Sequence, residues 1–274
     1  MNGILSLDRP AEVPGGSAER FRQDGHICLR GLADPTEVAA VRPVIERLVG
    51  AHTKESKPVG KRDTYGAAFL QVGDLWRHDE AVRAFVHAPR FASAAAALLG
   101  VNGVRLYHDQ ALFKEPQGGH TPWHQDQYYW PLDTTNTVTM WMPLSDVREE
   151  VGSMVFVTGS HLLGDVGSGH ISDRSQAEID RLIQKRRLVT DTHGALRVGD
   201  ATFHTGWTLH SAAPNPTRVM RPVMTVIYVE DGARVAEPTG PAQEFDRMTW
   251  LGGRMPGELV DSDQNPHLWP TEPS

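Results

Sequence analysis

The sequence predicts a mainly β fold with flanking helices, a β-sandwich or jelly roll, and three observations carry that expectation. From Val104 to about Asp231 the chain consists of short β-like runs punctuated by Gly, Pro and Asp. An N-terminal group of helical segments precedes them, one with apolar residues from Val38 to Val49 at helical spacing. No break in composition and no internal repeat marks a second domain. Residues 1–274 are therefore expected to share one core: a helical part to about 100, a jelly-roll core over about 101–232, and a packed C-terminal tail.

In chain order, Ser17 to Gly25 reads as a short helix with Ser17 as N-cap and Gly25 as terminator, and His26 to Leu32 reads as a strand. Asp34-Pro35 opens a second helix with Val38, Val41, Ile45, Leu48 and Val49 on one face, and Pro43 is expected to break or kink it. Lys54 to Thr64 is polar and reads as a loop. Asp79 to Leu99 reads as two helical pieces split at Ala88-Pro89, and the second is alanine-rich, which lets a helix lie close against a sheet. Strands follow at Val104–Phe113, Val138–Leu144, Val151–Val157, Asp200–His204 and Val219–Val229. Between the third and fourth, Gly159 to Thr190 is an excursion with Gly164, Gly167 and Gly169 and a helix from about Ser175 to Arg187, expected as a substrate loop or a surface insertion. Beyond Glu237 the chain lacks periodicity, yet Trp250, Leu251 and Trp269 imply that it packs on the domain.

Composition narrows the function classes. With 39% hydrophobic and 22% charged residues the chain is ordinary for a globular enzyme. A net charge of -7 argues against non-specific nucleic-acid binding and against anionic membranes. No apolar run approaches the roughly 20 residues of a bilayer span, and Met1 to Pro14 lacks a signal-peptide layout, so a cytoplasmic location is expected. The single cysteine, Cys28, has apolar neighbours and reads as a small core residue. Nothing in the sequence speaks to oligomeric state.

The chemistry concentrates at Thr121-Pro-Trp-His-Gln-Asp-Gln-Tyr-Tyr-Trp130. In extended chain, positions i and i+2 share a side, so His124 and Asp126 converge on one point. Such a pair is two-thirds of the two-His-one-carboxylate face that holds non-haem Fe(II) and leaves positions open. His210 is the best distant candidate for the third ligand, and His204 is the competing one. Eleven positions past His210, Arg221 starts an apolar strand, where a guanidinium needs a carboxylate or phosphate partner. Arg218 could take that place, but its turn favours a solvated side chain.

This combination resembles the phytanoyl-CoA dioxygenase family of Fe(II)/2-oxoglutarate-dependent dioxygenases. Tyr107-His-Asp-Gln-Ala-Leu-Phe-Lys114, Thr121-Pro-Trp-His-Gln-Asp126, Trp141-Met-Pro-Leu144, Gly159-Ser-His161 and Leu209-His-Ser-Ala-Ala-Pro-Asn215 are similar to blocks of that family in the right order. The likeness covers most of the chain, from Phe21 onward. It implies a double-stranded β-helix of the cupin-like type, with iron held by His124, Asp126 and His210 and with 2-oxoglutarate as cosubstrate. It also implies that Arg221 grips the far carboxylate of 2-oxoglutarate, that Trp141 and Lys114 line its pocket, and that Gln110 lies nearby. The family pattern favours His210 over His204. Many relatives carry Gly-Ser after the distal His, whereas Ser211-Ala212 follows His210 here, so Ser211 or Thr225 is left to make that hydrogen bond.

The activity so implied is hydroxylation of a small organic molecule by O2, with release of succinate and CO2. Halogenating relatives replace the carboxylate ligand, so Asp126 favours hydroxylation. Nothing reads as a dedicated CoA site, although an acyl-CoA stays open as substrate. The alternatives are a jelly-roll isomerase or lyase that uses the same ligands without O2, and a metal-binding module without catalysis. His108, His120 and His161 read as pocket-wall, surface or turn residues, and Tyr128, Tyr129 and Trp130 as either substrate wall or core.

Overall fold

The computed structural model describes residues 7–149, 151–167 and 169–271. The first residues of the Met1–Pro14 stretch lie outside that range. In chain order the helices are α1 (Ser17–Asp24), α2 (Pro35–His52), α3 (Glu80–Val86), α4 (Pro89–Leu99), α5 (Asp173–Arg186) and α6 (Pro241–Trp250). The strands are β1 (His26–Leu29), β2 (Leu70–Gly73), β3 (Val104–Phe113), β4 (Thr121–His124), β5 (Thr137–Pro143) and β6 (Met154–Val157), followed by β7 (Thr190–Thr192), β8 (Ala201–Thr205), β9 (His210–Ala212), β10 (Val223–Glu230) and β11 (His267–Trp269).

Two antiparallel sheets form the jelly roll. The larger runs β1-β8-β5-β10-β3-β11 with β2 also on β3, and the smaller runs β4-β9-β6-β7. Strand alternation sorts the large sheet's side chains into two sets. On β5, Val138, Met140 and Met142 enter the main hydrophobic core with the helices, while Thr139 and Trp141 line a cavity on the opposite side. β10 repeats the pattern, with Met224, Val226 and Tyr228 in the core and Thr225 and Ile227 on the cavity. The alanines of α4 (Ala92, Ala94, Ala95 and Ala96) are buried, and this helix packs across β3, β5, β10 and β11. Small side chains permit that close seat, as the sequence predicts.

Several local expectations are revised. α2 runs unbroken through Pro43, because Val38 and Val41 before it and Ile45, Leu48 and Val49 after it are all buried on one face. The β1 strand stops at Leu29 instead of Leu32. Cys28 is half-buried, packed against the edge of a small hydrophobic cluster. The segment around Asp126 is extended only to Gln125 and then tightens into a short 3-10 turn over Asp126–Tyr129. The tail is not merely packed irregular chain: it contributes α6, and β11 pairs with β3. Asn265 anchors it, its amide donating to the carbonyls of Leu106, Tyr107 and Trp250. Among the described residues, no helix is long and apolar enough to cross a membrane.

Candidate active site

Between the sheets lies a cavity of about 480 Å³. At its inner end, β4 and β9 pair so that His124 and His210 are direct register partners, and their rings sit 4.0 Å apart, centroid to centroid. Each imidazole is fixed through Nδ1 to a carbonyl two residues back, His124 to Pro122 at 2.8 Å and His210 to Thr208 at 2.9 Å. This places the proton on Nδ1 and leaves each Nε2 with a free lone pair. Both Nε2 atoms face Oδ1 of Asp126, at 3.5 and 3.6 Å. One ligand atom from each of the three residues falls within 4.8 Å of the others. The donor set, two neutral imidazoles and one carboxylate converging on a point that the cavity opens onto, fits a divalent iron with positions to spare.

The carboxylate is held from the other sheet. Oδ2 of Asp126 accepts a hydrogen bond from the Thr139 hydroxyl at 3.1 Å and contacts His204 Nε2 at 3.2 Å. His204 thus stands behind the cluster, buried, as an aid to Asp126. Burial pushes the Asp126 carboxyl up, but the imidazoles of His210, His124 and His204 outweigh it and hold the group well below the usual carboxylate range. Burial, then His124 and His204, keep His210 well below the usual histidine range, in the neutral form a metal needs.

Arg221 also lines the cavity, although only 3% of it is exposed. Its guanidinium lies 5.2 Å from the Trp141 ring centroid and donates to the Gly152 carbonyl. Among the described residues its Nε has no partner and no carboxylate pairs with it. Burial lowers this guanidinium to about 9, which still leaves it a cation at neutral pH. A buried cation without a counter-charge is costly, and a dicarboxylate ligand would supply one.

Trp141, Gln110, Ser211 and Thr225 line the same cavity, the Thr225 hydroxyl donating to the Gln110 carbonyl. Lys114 does not. Its backbone pairs with Arg221 in both directions, and its fully buried Nζ donates to the Gly119 carbonyl and the Thr121 hydroxyl. Burial, then the neighbouring Arg221, lowers Lys114 to about 6. Arg218 is exposed. His161 bonds the Arg22 carbonyl, away from the cavity.

The outer part of the cavity is built largely from residues that the sequence does not advertise. Tyr65 and Phe69 come from the loop before β2, His170 and Ile171 from the glycine-rich excursion, and Asp246 and Trp250 from α6. His108 lines it too and stacks on Trp250 at 4.4 Å. Tyr129 and Trp130 face the cavity, and the Tyr129 hydroxyl accepts from Ile171 N–H, which ties the excursion to the site. Gln125 adds a second tie, donating to the Gly164 and Trp207 carbonyls and accepting from Val166 N–H. Thr139 could have been found from Trp141 by strand alternation. Asp246 and Trp250 share a face of α6 by their four-residue spacing, but the helix itself is masked by its polar composition.

Comparison with known proteins fits this geometry. The family model described as "Phytanoyl-CoA dioxygenase (PhyH)" matches residues 21–223. A probable alpha-ketoglutarate-dependent hypophosphite dioxygenase from Stutzerimonas stutzeri is 26% identical over 158 residues, which is 54% of this chain and 53% of that protein, so the match spans about half the relative's length. The solved epimerase SnoN, in complex with Fe3+, alpha ketoglutarate and nogalamycin RO, is 31% identical with a TM-score of 0.75, covering 96% of this chain and 99% of that one. The alpha ketoglutarate dependent carbocyclase SnoK from nogalamycin biosynthesis superposes with a TM-score of 0.78 at 23% identity, over 95% of this chain and 99% of that chain, a likeness of fold.

Proposed function

Because the chain belongs to the phytanoyl-CoA dioxygenase family, and so to the enzymes that use iron and 2-oxoglutarate, we propose that it hydroxylates a small organic substrate. Iron would be held by His124, Asp126 and His210, and 2-oxoglutarate gripped at its far carboxylate by Arg221. The observation that carries this reading is the pairing, within one cavity, of a His-Asp-His cluster with a buried guanidinium whose Nε lacks a partner. When bound there, iron with 2-oxoglutarate and O2 supplies the oxidising power that cleaves a substrate C–H bond, with succinate and CO2 as coproducts.

The chain's own residues do the rest. The Pro122 and Thr208 carbonyls fix the imidazole tautomers. Thr139 and His204 orient the carboxylate, and Trp141 gives the guanidinium a flat wall to lie against. The aromatic walls exclude water from the reacting face. We further propose that the chain works as one domain, with no nucleic-acid partner.

The test is anaerobic titration with Fe(II) and 2-oxoglutarate, which should produce a visible metal-to-ligand charge-transfer band, followed by O2-dependent succinate formation. Asp126→Ala should abolish both, and unchanged iron binding in that variant would count against the assignment. A second reading, inversion of a stereocentre, is favoured by the likeness to the SnoN epimerase. Product mass separates the two, since hydroxylation adds one oxygen atom and epimerisation leaves the mass unchanged.

A further inference from the structure

Asp246 is the unexplained group in the cavity. Only 7% of it is exposed, and it lies on the wall formed by α6, beside Trp250. Oδ2 accepts a hydrogen bond from the Tyr107 hydroxyl at 3.2 Å. Among the described residues, Oδ1 has no hydrogen-bond partner, and the residue lines the cavity. Neither the metal cluster nor the Arg221 end uses this carboxyl, and among the described residues no basic side chain pairs with it.

The rest of the outer cavity has a consistent character. Trp250, Tyr129, Trp130 and Phe69 present aromatic surface, and Asp63 stands at the rim. Among the described residues lining the cavity, Arg221 is the one Lys or Arg, and it sits against Trp141 and Gly152. A carboxylate buried without a counter-charge is costly, and a ligand that brings a cation with an N–H to Oδ1 removes that cost. Aromatic faces around such a cation add attraction of their own. A polyanion would meet the opposite conditions, two carboxylates and no free cation, so a CoA thioester is disfavoured here.

We propose that this end of the cavity is an ammonium subsite: the substrate is a compact ring compound bearing a protonated amine, which donates to Asp246 Oδ1 while the ring packs on Trp250 and its aromatic neighbours. This deepens the hydroxylase reading and rests on that cavity being the active site. Its chemistry is nevertheless separable from the iron's, because the amine is recognised on α6 and not at the ligand cluster.

The test uses three benzyl probes of different charge, benzylamine, its isostere benzyl alcohol, and phenylacetate. Binding is followed calorimetrically under argon, on enzyme loaded with Fe(II) and 2-oxoglutarate and again on metal-free enzyme. The amine should bind roughly tenfold or more tighter than the alcohol, as a charged hydrogen bond allows, and phenylacetate should bind weakest to the loaded enzyme. Asp246→Asn should erase the preference for the amine, whereas Tyr107→Phe, which leaves the carboxyl in place, should keep it. If the asparagine variant does not fold, Asp246→Ser makes the same comparison. Equal affinity for amine and alcohol, a preference surviving loss of the carboxyl, or no amine binding by an enzyme with an intact charge-transfer band would each overturn the proposal. Failure of that band to form counts instead against the iron reading, and the metal-free titration then still decides the subsite.

Discussion

Thr139 and His204 are register partners on adjacent strands, and both reach the same atom, Oδ2 of Asp126, at 3.1 and 3.2 Å. The arrangement mirrors the pairing of His124 with His210 on the opposite sheet. One sheet carries the two imidazoles and the other fixes the carboxylate between them. Thr139 and His204 are thus positioning residues, and their removal should weaken Fe(II) binding by about 10–100-fold. Anaerobic Fe(II) titration of Thr139→Val and His204→Phe measures this. Thr139→Ser, which keeps the hydroxyl, should restore the affinity.

Gly152 controls the place of Arg221. Its φ is +66°, and a Cβ there would lie 2.9 Å from Arg221 Nη1 and 3.0 Å from the Ala213 carbonyl oxygen. Gly152→Ala should therefore shift the guanidinium and weaken 2-oxoglutarate. Arg221→Met should weaken it further, by roughly 10–100-fold, the worth of a charged hydrogen bond. The concentration dependence of the charge-transfer band gives the 2-oxoglutarate affinity, and Fe(II) binding should stay unchanged in both variants.

Asn265 holds the C-terminal segment against β3 through three carbonyls, one of them that of Trp250. Asn265→Ala leaves those acceptors buried without that donor, at a cost on the order of 2–3 kcal/mol. The melting temperature should drop by roughly 5–10 °C, and the tryptophan emission should shift to the red as Trp250 loosens. A variant that melts like the parent would show that the segment is held by other contacts.

His26 should make the protein acid-labile. It is buried, stacks on Phe156 at 4.6 Å and contacts His193 at 3.0 Å and Thr158 at 3.1 Å. Burial, then His193, lowers it from 6.5 to about 3. Between those values the unfolded chain binds the proton and the folded one does not. Its contribution is therefore fully present above pH 6.5 and is lost as pH falls toward 3, by up to about 1.4 kcal/mol per pH unit. His87 and His108, both lowered chiefly by burial to about 4, act in the same direction. Asp109 and Asp246, raised chiefly by burial to about 8 and about 7, act in the opposite direction. The measure is therefore the difference between variants: lowering the pH from 7 to 5 should cost the parent more of its urea midpoint than it costs His26→Phe, which keeps the stacking surface.

The sequence made the inner site legible because its chemistry is spelled in short strings. His-x-Asp, the distant His210 and the strand-opening Arg221 are rare residue types in telling places, and the structure brings all of them to one cavity. The Ala88-Pro89 break between α3 and α4 was equally readable, since proline forbids continuation. Lys114 was not, because a lysine on an inward strand can turn its Nζ aside to backbone carbonyls, as it does toward Gly119. The helix α6 was hidden for a different reason: Phe245 and Met248 are 63% and 57% exposed while Asp246 is buried. Its polarity pattern is inverted relative to an ordinary surface helix, so periodicity points the wrong way. β2, four residues with one of them buried, carries too little pattern to be seen.

The attachment of α6 and β11 to β3 has an implication for how such an enzyme acquires new tasks. The His-Asp-His cluster and Arg221 fall within residues 121–221 of the chain, whereas α6 reaches the opposite end of the cavity from beyond β10. Replacing residues 237–271 by the corresponding stretch of a relative would graft a different molecular preference onto an untouched redox engine, with Asn265 as the fastener to retain at the seam.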